Sequence, residues 1–290
     1  MSFEIVTDSS SNLLDETIDR FNLHILSLSY LVGDKEYPSY VKGQKTDLKH
    51  FYDLIREGNV ITTSLPHIHD SEQLIRSLLD AGKDVLYIGF SSGLSGTYES
   101  TVALLNELRP QYPERVILDV DTLAASGGEG LLVYKAAQMR EAGKSIQEVH
   151  QWLEDTKLHL AHWYTVTDLM YLFRGGRVKR TSAWAGTMLN IKPVMHMDNE
   201  GHLIPLEKVM GRKKSILGML KHMKEDALEP VSQQTVFITH GDCEDDANFL
   251  ADKIRQTFGV TDIHINYVEP VIGAHTGPGV LALFFLADHR

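Results

Sequence analysis

The sequence predicts an α/β protein built from two closely packed α/β halves. Three observations predict it. The first half alternates short apolar strand runs with helical spacing, the rhythm of a mainly parallel sheet flanked by helices. The second half adds a turn signal, Asp198-Asn199-Glu200-Gly201, between two strand-like runs, so its sheet is mixed. The 290 residues, 43% hydrophobic and 23% charged, suit a globular chain of one large or two moderate domains. The expected division is 1–160 and 161–290, with the boundary near Thr156 to His162. No proline-rich or serine-rich linker marks that boundary, so the halves are expected to pack directly.

Phe3 to Thr7 is a short apolar strand. Leu23 to Leu31 alternates with period two and reads as a second one. Leu48, Phe51, Tyr52 and Ile55 have helical spacing, with Thr46 as the expected cap and Gly58 as the stop. Asp70 is expected to cap a helix whose buried face is Leu74, Ile75, Leu78 and Leu79. Asp84 to Ile88 is a strand, Ser95 to Leu108 a helix stopped by Pro110, and Arg115 to Val120 a strand. Leu123 to Arg140 and Ser145 to Thr156 are helices. Glu148 follows Ser145 by three residues, as in a capping box.

In the second half His159 to Val166 is a strand, and Asp168 to Phe173 a short helix running into Arg174-Gly175-Gly176-Arg177. Thr181 to Leu189 reads as helix. Lys192 to Met197 and His202 to Val209 are the paired strands. Lys213 to Lys224 and Glu244 to Phe258 are helices. Thr235 to Thr239, Asp262 to Val268 and Val280 to Leu286 are strands.

The charge excludes some classes of function. Lys plus Arg is 28 and Asp plus Glu is 39, giving a formal net charge of −11 and a pI near 5.7. Such a chain repels phosphate backbones, so no nucleic-acid partner is expected. The single cysteine, Cys243, allows no internal disulfide and no Cys-based zinc site. The start MSFEIVTDSSSN lacks the basic and apolar parts of a signal peptide. No apolar run approaches the roughly 18 residues of a membrane span. The expectation is a cytoplasmic protein. Neither G-x-x-x-x-G-K-[ST] nor G-x-G-x-x-G is present, so nothing suggests that the chain itself binds ATP or NAD.

Four polar clusters fall at expected strand ends. They are Thr7-Asp8-Ser9-Ser10-Ser11, Thr62-Thr63-Ser64-Leu65-Pro66, Ser91-Ser92-Gly93-Leu94-Ser95-Gly96-Thr97 and His275-Thr276-Gly277-Pro278-Gly279. In open α/β sheets, ligands sit beyond the carboxyl ends of strands. Hydroxyls and backbone amides donate hydrogen bonds without adding negative charge, which suits a small anion at a helix N-terminus. One such cluster alone reads as a turn or cap; four together favour a site. His275 either hydrogen-bonds a carboxylate or caps its tight turn.

Other patterns are weaker. Gly89-Phe90-Ser91-Ser92-Gly93 matches G-x-S-x-G after a strand, the setting of a hydrolase nucleophile. Ser91 or Ser92 would then need Asp121 or Asp168 and His240 or His275. Against it, Gly93-Leu94-Ser95-Gly96 separates the serine from its helix. His67-x-His69-Asp70 and His159-x-x-His162 have metal-like spacing, but 14 histidines produce such pairs by chance, and no metal site is expected. Arg174, Arg177, Lys179 and Arg180 form one basic run, and Arg212, Lys213 and Lys214 another. In an acidic chain they are places for an acidic partner or a phosphate to dock.

Taken in order, the clusters resemble the DegV family of bacterial lipid-binding proteins. The matching residues are Thr7-Asp8-Ser9-Ser10, Thr62-Thr63-Ser64-Leu65-Pro66, Ser91-Ser92-Gly93-Leu94-Ser95-Gly96-Thr97-Tyr98 and Asp168-Leu169-x-Tyr171-Leu172. Gly175-Gly176-Arg177, Ile191-Lys192-Pro193 and Gly273-Ala274-His275-Thr276-Gly277-Pro278-Gly279 complete the pattern. The resemblance implies two α/β domains with a long-chain fatty acid between them. It also implies no catalytic activity and no cofactor, the fatty acid being the ligand. In members of the FakB type the protein presents the acid to a separate ATP-binding fatty-acid kinase subunit, and an acyl phosphate results. The family alternative without a kinase is a module for another anionic lipid.

By position, the resemblance assigns carboxylate binding to Thr62, Thr63, Ser64, Ser92, Ser95, Gly96, Thr97, His275 and Thr276. It turns Arg174, Arg177 and Arg212 toward the partner or its phosphate. Phe90, Leu94, Trp184, Met188, Leu189 and Ile191 are candidates for the acyl tunnel. One departure is Met210, where the family often has a basic residue.

Overall fold

The computed structural model describes residues 3–179 and 190–290. The helix expected over Thr181 to Leu189, with the tunnel candidates Trp184, Met188 and Leu189, lies outside the described residues, as does Arg180.

Strand β1 (Glu4–Asp8) opens the chain, followed by helix α1 (Asp15–Arg20) and strand β2 (His24–Leu26), parallel to β1. The chain then leaves that sheet. Strands β3 (Ser29–Val32) and β4 (Lys35–Pro38), helix α2 (Leu48–Arg56) and strand β5 (Ile61–Ser64) follow, and the strands make a small antiparallel sheet in the order β4-β3-β5. Helix α3 (Ile68–Asp80), strand β6 (Val85–Gly89), helix α4 (Thr97–Leu108) and strand β7 (Ile117–Asp121) complete a four-stranded parallel sheet, β2-β1-β6-β7. All five residues of β6 are buried, as a central strand covered on both faces requires. Helices α5 (Gly127–Glu141) and α6 (Ile146–Thr156) follow. The expected capping box is formed: Ser145 Oγ accepts from Glu148 N, and the Glu148 carboxylate accepts from Ser145 N.

Six further strands form one mixed sheet. They are β8 (Leu160–Thr165), β9 (Ile191–Met197), β10 (Leu203–Met210), β11 (Thr235–His240), β12 (Asp262–Tyr267) and β13 (Leu281–Leu286), ordered β10-β9-β8-β13-β11-β12. Only β11 and β12 run parallel; the hairpin of β9 and β10 is antiparallel. Helices α7 (Met170–Arg174), α8 (Arg212–Asp226), α9 (Glu244–Phe258) and α10 (Pro270–Thr276) connect them.

Helix α5 joins the sheets. Ten of its residues are buried, including Glu129, so it has no polar face, as expected for a helix packed on all sides. Its glycines make the fit. A Cβ on Gly127 would lie 2.9 Å from the Phe284 ring, and one on Gly130 would lie 2.3 Å from Ser11 O. One apolar core therefore runs from Ile5 and Leu86 through Leu131 and Leu132 to Tyr164, Phe237 and Phe284.

Several expected boundaries move. The single strand over Leu23 to Leu31 is two strands in two sheets. The break is made by tertiary bonds: Leu28 N donates to Ser9 Oγ at 3.0 Å, and Tyr40 N to Ser27 Oγ at 3.0 Å. Asp47, not Thr46, caps α2, accepting from His50 N. Helix α3 starts at Ile68, so Asp70 sits in its first turn. Helix α4 starts at Thr97, and α5 at Gly127 after a loop with left-handed Leu123. The segment around His275 is the last turn of α10 rather than an open turn. Glu269 caps that helix, accepting from Val271 N and Ile272 N at 2.7 Å.

Candidate functional site

The carboxyl ends of β5 and β6 open onto a cavity of about 410 Å³, a size ordinary for small-molecule sites. Its outer wall is Thr63, Ser64, Leu65, Phe90, Leu94, Ser95 and Gly96. Its inner wall is the mixed sheet and α10, with Met197, Ile272, Val280, Ala282 and Phe284. The lining is mostly apolar. Ser64 and Gly96 are exposed where it meets solvent, and Phe284 is buried at the inner wall.

Of the two threonines of β5, one belongs to the cavity. Thr63 faces it, while Thr62 lies on the opposite, exposed face. Thr63 Oγ1 is 2.9 Å from His275 Nε2. His275 itself packs on the backbone of Gly175, where a Cβ would lie 2.5 Å from Nδ1. Burial and the Arg177 charge push the His275 imidazole down to about 4, so it is neutral near pH 7. Arg177 lines the same cavity. Its guanidinium donates to Leu94 O at 3.2 Å and Gly175 O at 2.5 Å, and no described carboxylate pairs with it. Ser95 and Gly96 bring the N-terminus of α4, whose dipole adds positive potential there.

The structure thus brings together Thr63, Ser64, Ser95, Gly96, His275 and Thr276 from the predicted set, and adds Arg177 to them rather than turning it outward. Phe90 and Leu94 line the cavity; Ile191 does not. Thr97 sits one layer back, its Oγ1 2.9 Å from Ser95 Oγ. Ser92 donates its N–H to Asp121 and does not reach the wall. Arg174 is exposed, over the Tyr171 ring. Arg212 is far along the chain at the start of α8, paired with Asp246 at 2.8 Å.

The hydrolase constellation is not assembled. Ser91 is fully buried; its hydroxyl donates to Gly201 O at 3.0 Å and accepts from Gly93 N at 3.2 Å. Asp121 accepts from the backbone of Ser92 and Leu123, His240 accepts from Cys243 N, and His275 is with Thr63. Ser91 fastens the β9–β10 turn to the loop after β6.

The first polar cluster is a buried support. Asp8 accepts from Ser10 N, Phe90 N and the Tyr87 hydroxyl. Ser10 Oγ lies between Asp8 and Glu129, 2.7 Å from the latter, and Thr7 Oγ1 donates to Glu129. One hydroxyl has one proton, so one carboxyl must also carry one. Asp8 has the donors that hold a charge. Glu129, pushed well up by burial and by Asp8, is the protonated partner. The network anchors Phe90, and Ser9 anchors Leu28, both in the cavity wall.

Sequence reasoning missed Arg177 as a cavity residue, and it missed His162, Tyr164, Ser126 and Thr239, which also line the cavity. The available signal was the alternation of β8, which puts His162 and Tyr164 on one face and Ala161 and Trp163 on the other.

Comparison with known proteins gives a consistent result. A sequence model described as an uncharacterised protein of the DegV family matches residues 2–288. A DegV domain-containing protein of Clostridium perfringens is 41% identical over 288 residues, covering 99% of this chain and 98% of its own. The crystal structure of a DegV lipid-binding protein from Thermotoga maritima superposes with a TM-score of 0.87 at 30% identity, covering 100% of both chains. A second T. maritima protein, whose structure reveals a fatty acid binding function, has a TM-score of 0.86 at 29% identity and 99% coverage of both. Among the described residues no helix is long and apolar enough to cross a membrane.

Proposed function

The chain belongs to the DegV family, and from that premise we propose that it binds a long-chain fatty acid and presents the carboxyl group to an ATP-binding kinase subunit. The observation that carries the binding reading is a mostly apolar cavity whose mouth gathers Thr63, Ser95, a neutral His275 and an Arg177 without a carboxylate partner. Those groups complement a carboxylate. Charge-assisted hydrogen bonds are the strong ones, and each buried CH₂ contributes about 0.8 kcal/mol. In this reading the chain's role is to hold the acid.

The kinase step is the finer part of the proposal. Fatty acid binding in a related structure supports the ligand; the exposed Arg174, adjacent in sequence to the Gly175 that packs on His275, supports an acidic or phosphate-bearing partner. Met210 offers no charge, and Arg212 is committed to Asp246.

Solvent extraction and mass spectrometry of protein purified from bacteria test the first part. The expected result is a co-purifying long-chain fatty acid; a protein that carries none and takes up none after delipidation refutes the reading. His275→Ala is expected to weaken binding about tenfold or more through the lost bond to a charged group. Reconstitution with a cognate ATP-binding subunit tests the second part, read as acyl phosphate.

A further inference from the structure

Arg290 does not line the cavity, yet it holds the segments that do. Its partly buried guanidinium meets five backbone carbonyls, one for each of its N–H donors. Nη1 donates to Leu123 O at 2.6 Å and to Asp198 O at 3.2 Å. Nη2 donates to Lys157 O at 2.7 Å and to Thr122 O at 3.4 Å, and Nε to Leu160 O at 3.3 Å. A guanidinium is a rigid planar fork, so these bonds fix the positions of the segments relative to one another.

Three of those segments carry the cavity wall. Leu160 belongs to β8, a strand of the inner wall. Thr122 and Leu123 begin the loop that runs on to Ala125 and Ser126, and Asp198 opens the turn between Met197 and Leu203; these four flanking residues all line the cavity. The β9–β10 turn has a second anchor. Gly201 O accepts from Ser91 Oγ at 3.0 Å, and a Cβ on Gly93 would lie 2.5 Å from Glu200 O. The contact energy of an acyl chain depends steeply on such placement. A wall that recedes by about 0.5–1 Å forfeits roughly a quarter to a half of each dispersion contact.

Resting on the fatty-acid reading, we propose that Arg290 is a positioning residue for acyl-chain recognition. By fixing the loop before α5 and the β9–β10 turn against β8, it sets how much affinity each CH₂ of the ligand adds.

The test compares laurate, myristate, palmitate and stearate on the delipidated chain by competition binding. Each added CH₂ is expected to raise wild-type affinity about fourfold. Arg290→Met keeps the apolar stem and removes the fork, and the rise is expected to fall to about twofold per CH₂. Arg290→Lys keeps the charge but has three donors for the five carbonyls, and an intermediate rise is expected. A smaller folded fraction lowers the affinity for every acid by one factor, as does His275→Ala, and neither changes the rise. A merely structural role for Arg290 does not move this readout. If wild type binds and the rise with chain length is the same in whichever Arg290 variant folds, this proposal falls and fatty-acid binding stands. If no acid binds the wild type, both readings fall together.

Discussion

Gly175→Ala isolates the geometry of the carboxylate end. The backbone at Gly175 has φ −71°, so alanine fits it without strain. The added Cβ, however, would lie 2.5 Å from His275 Nδ1 and 3.3 Å from its Cγ. Ordinary contact starts near 3.4 Å, so the ring must move by about 0.9 Å. Thr63 Oγ1 already stands 2.9 Å from Nε2, on the far side of the ring. The ring must shift away from Gly175, which strains the Thr63 bond and displaces the imidazole that the proposed function assigns to the carboxylate. Losing a hydrogen bond to a charged ligand group costs about 1.5–3 kcal/mol, roughly 10- to 150-fold in affinity. Fatty-acid affinity of the delipidated variant, by calorimetry, is expected to fall in that range while urea unfolding changes little. Gly176→Ala is the control. Gly176 has φ +72° with nothing within 4 Å of its would-be Cβ. That variant is expected to lose about 1–2 kcal/mol of stability from left-handed strain and to keep its affinity. A Gly175→Ala protein that folds and binds within twofold of wild type refutes the role given to His275.

Three further outcomes are expected. Ser91→Ala leaves Gly201 O and Gly93 N without their buried partner and costs about 1–3 kcal/mol by urea denaturation; a fluorophosphonate probe leaves wild-type Ser91 unlabelled, and labelling there would revive the hydrolase. Glu129→Gln preserves the neutral hydrogen-bonding pattern with Thr7 and Ser10 and is expected to cost under about 1 kcal/mol, whereas Asp8→Asn turns an amide toward donors and costs about 2 kcal/mol or more; the opposite order in denaturation would move the proton to Asp8. Glu269 is raised from 4.5 to about 7 by burial, so the folded state binds its proton more tightly than the unfolded one. Its contribution is therefore full below pH 4.5 and lost as pH rises to about 7, on the order of 3 kcal/mol across that window. Glu269→Gln is expected to remove that component from the pH dependence of the unfolding midpoint; an unchanged profile would contradict it.

Much of the frame was legible because it is written locally. The fully apolar β6, the helices between β1, β6 and β7, the Ser145–Glu148 capping box and the β9–β10 turn each carry their own signal. What was hidden depends on distant residues. The pattern L-H-I-L-S-L-S-Y-L runs unbroken over a break that Ser9 and Ser27 make through the backbone of Leu28 and Tyr40. Strand β5 is four residues, three of them polar, held by pairing with β3. Helix α10 contains proline and glycine, and its stability comes from the Glu269 cap and from Gly273 packing against Phe51 and Tyr52. The clusters pointed to the site, but only the fold sorted them, putting Thr63 and Ser64 in and Thr62 out. Arg177 could not be told from its neighbour Arg174 by sequence, since only the turn after α7 decides which one faces the cavity.

The formal charge of −11 overstates what a carboxylate meets at the cavity. Glu129 is held protonated beside Asp8, and Glu269 is near half-protonation at pH 7. Both sit in the structure that supports the cavity wall, and as neutral groups they do not repel an anion there. His275 contributes no charge either. The sign at the mouth is then set by Arg177, which burial already penalises as a cation. An arriving carboxylate relieves that penalty. Ligand-free protein therefore carries a half-buried charge with no counter-ion among the described residues, and if the chain binds as proposed, loading with fatty acid is expected to raise its unfolding midpoint by more than burial of the acyl chain alone supplies.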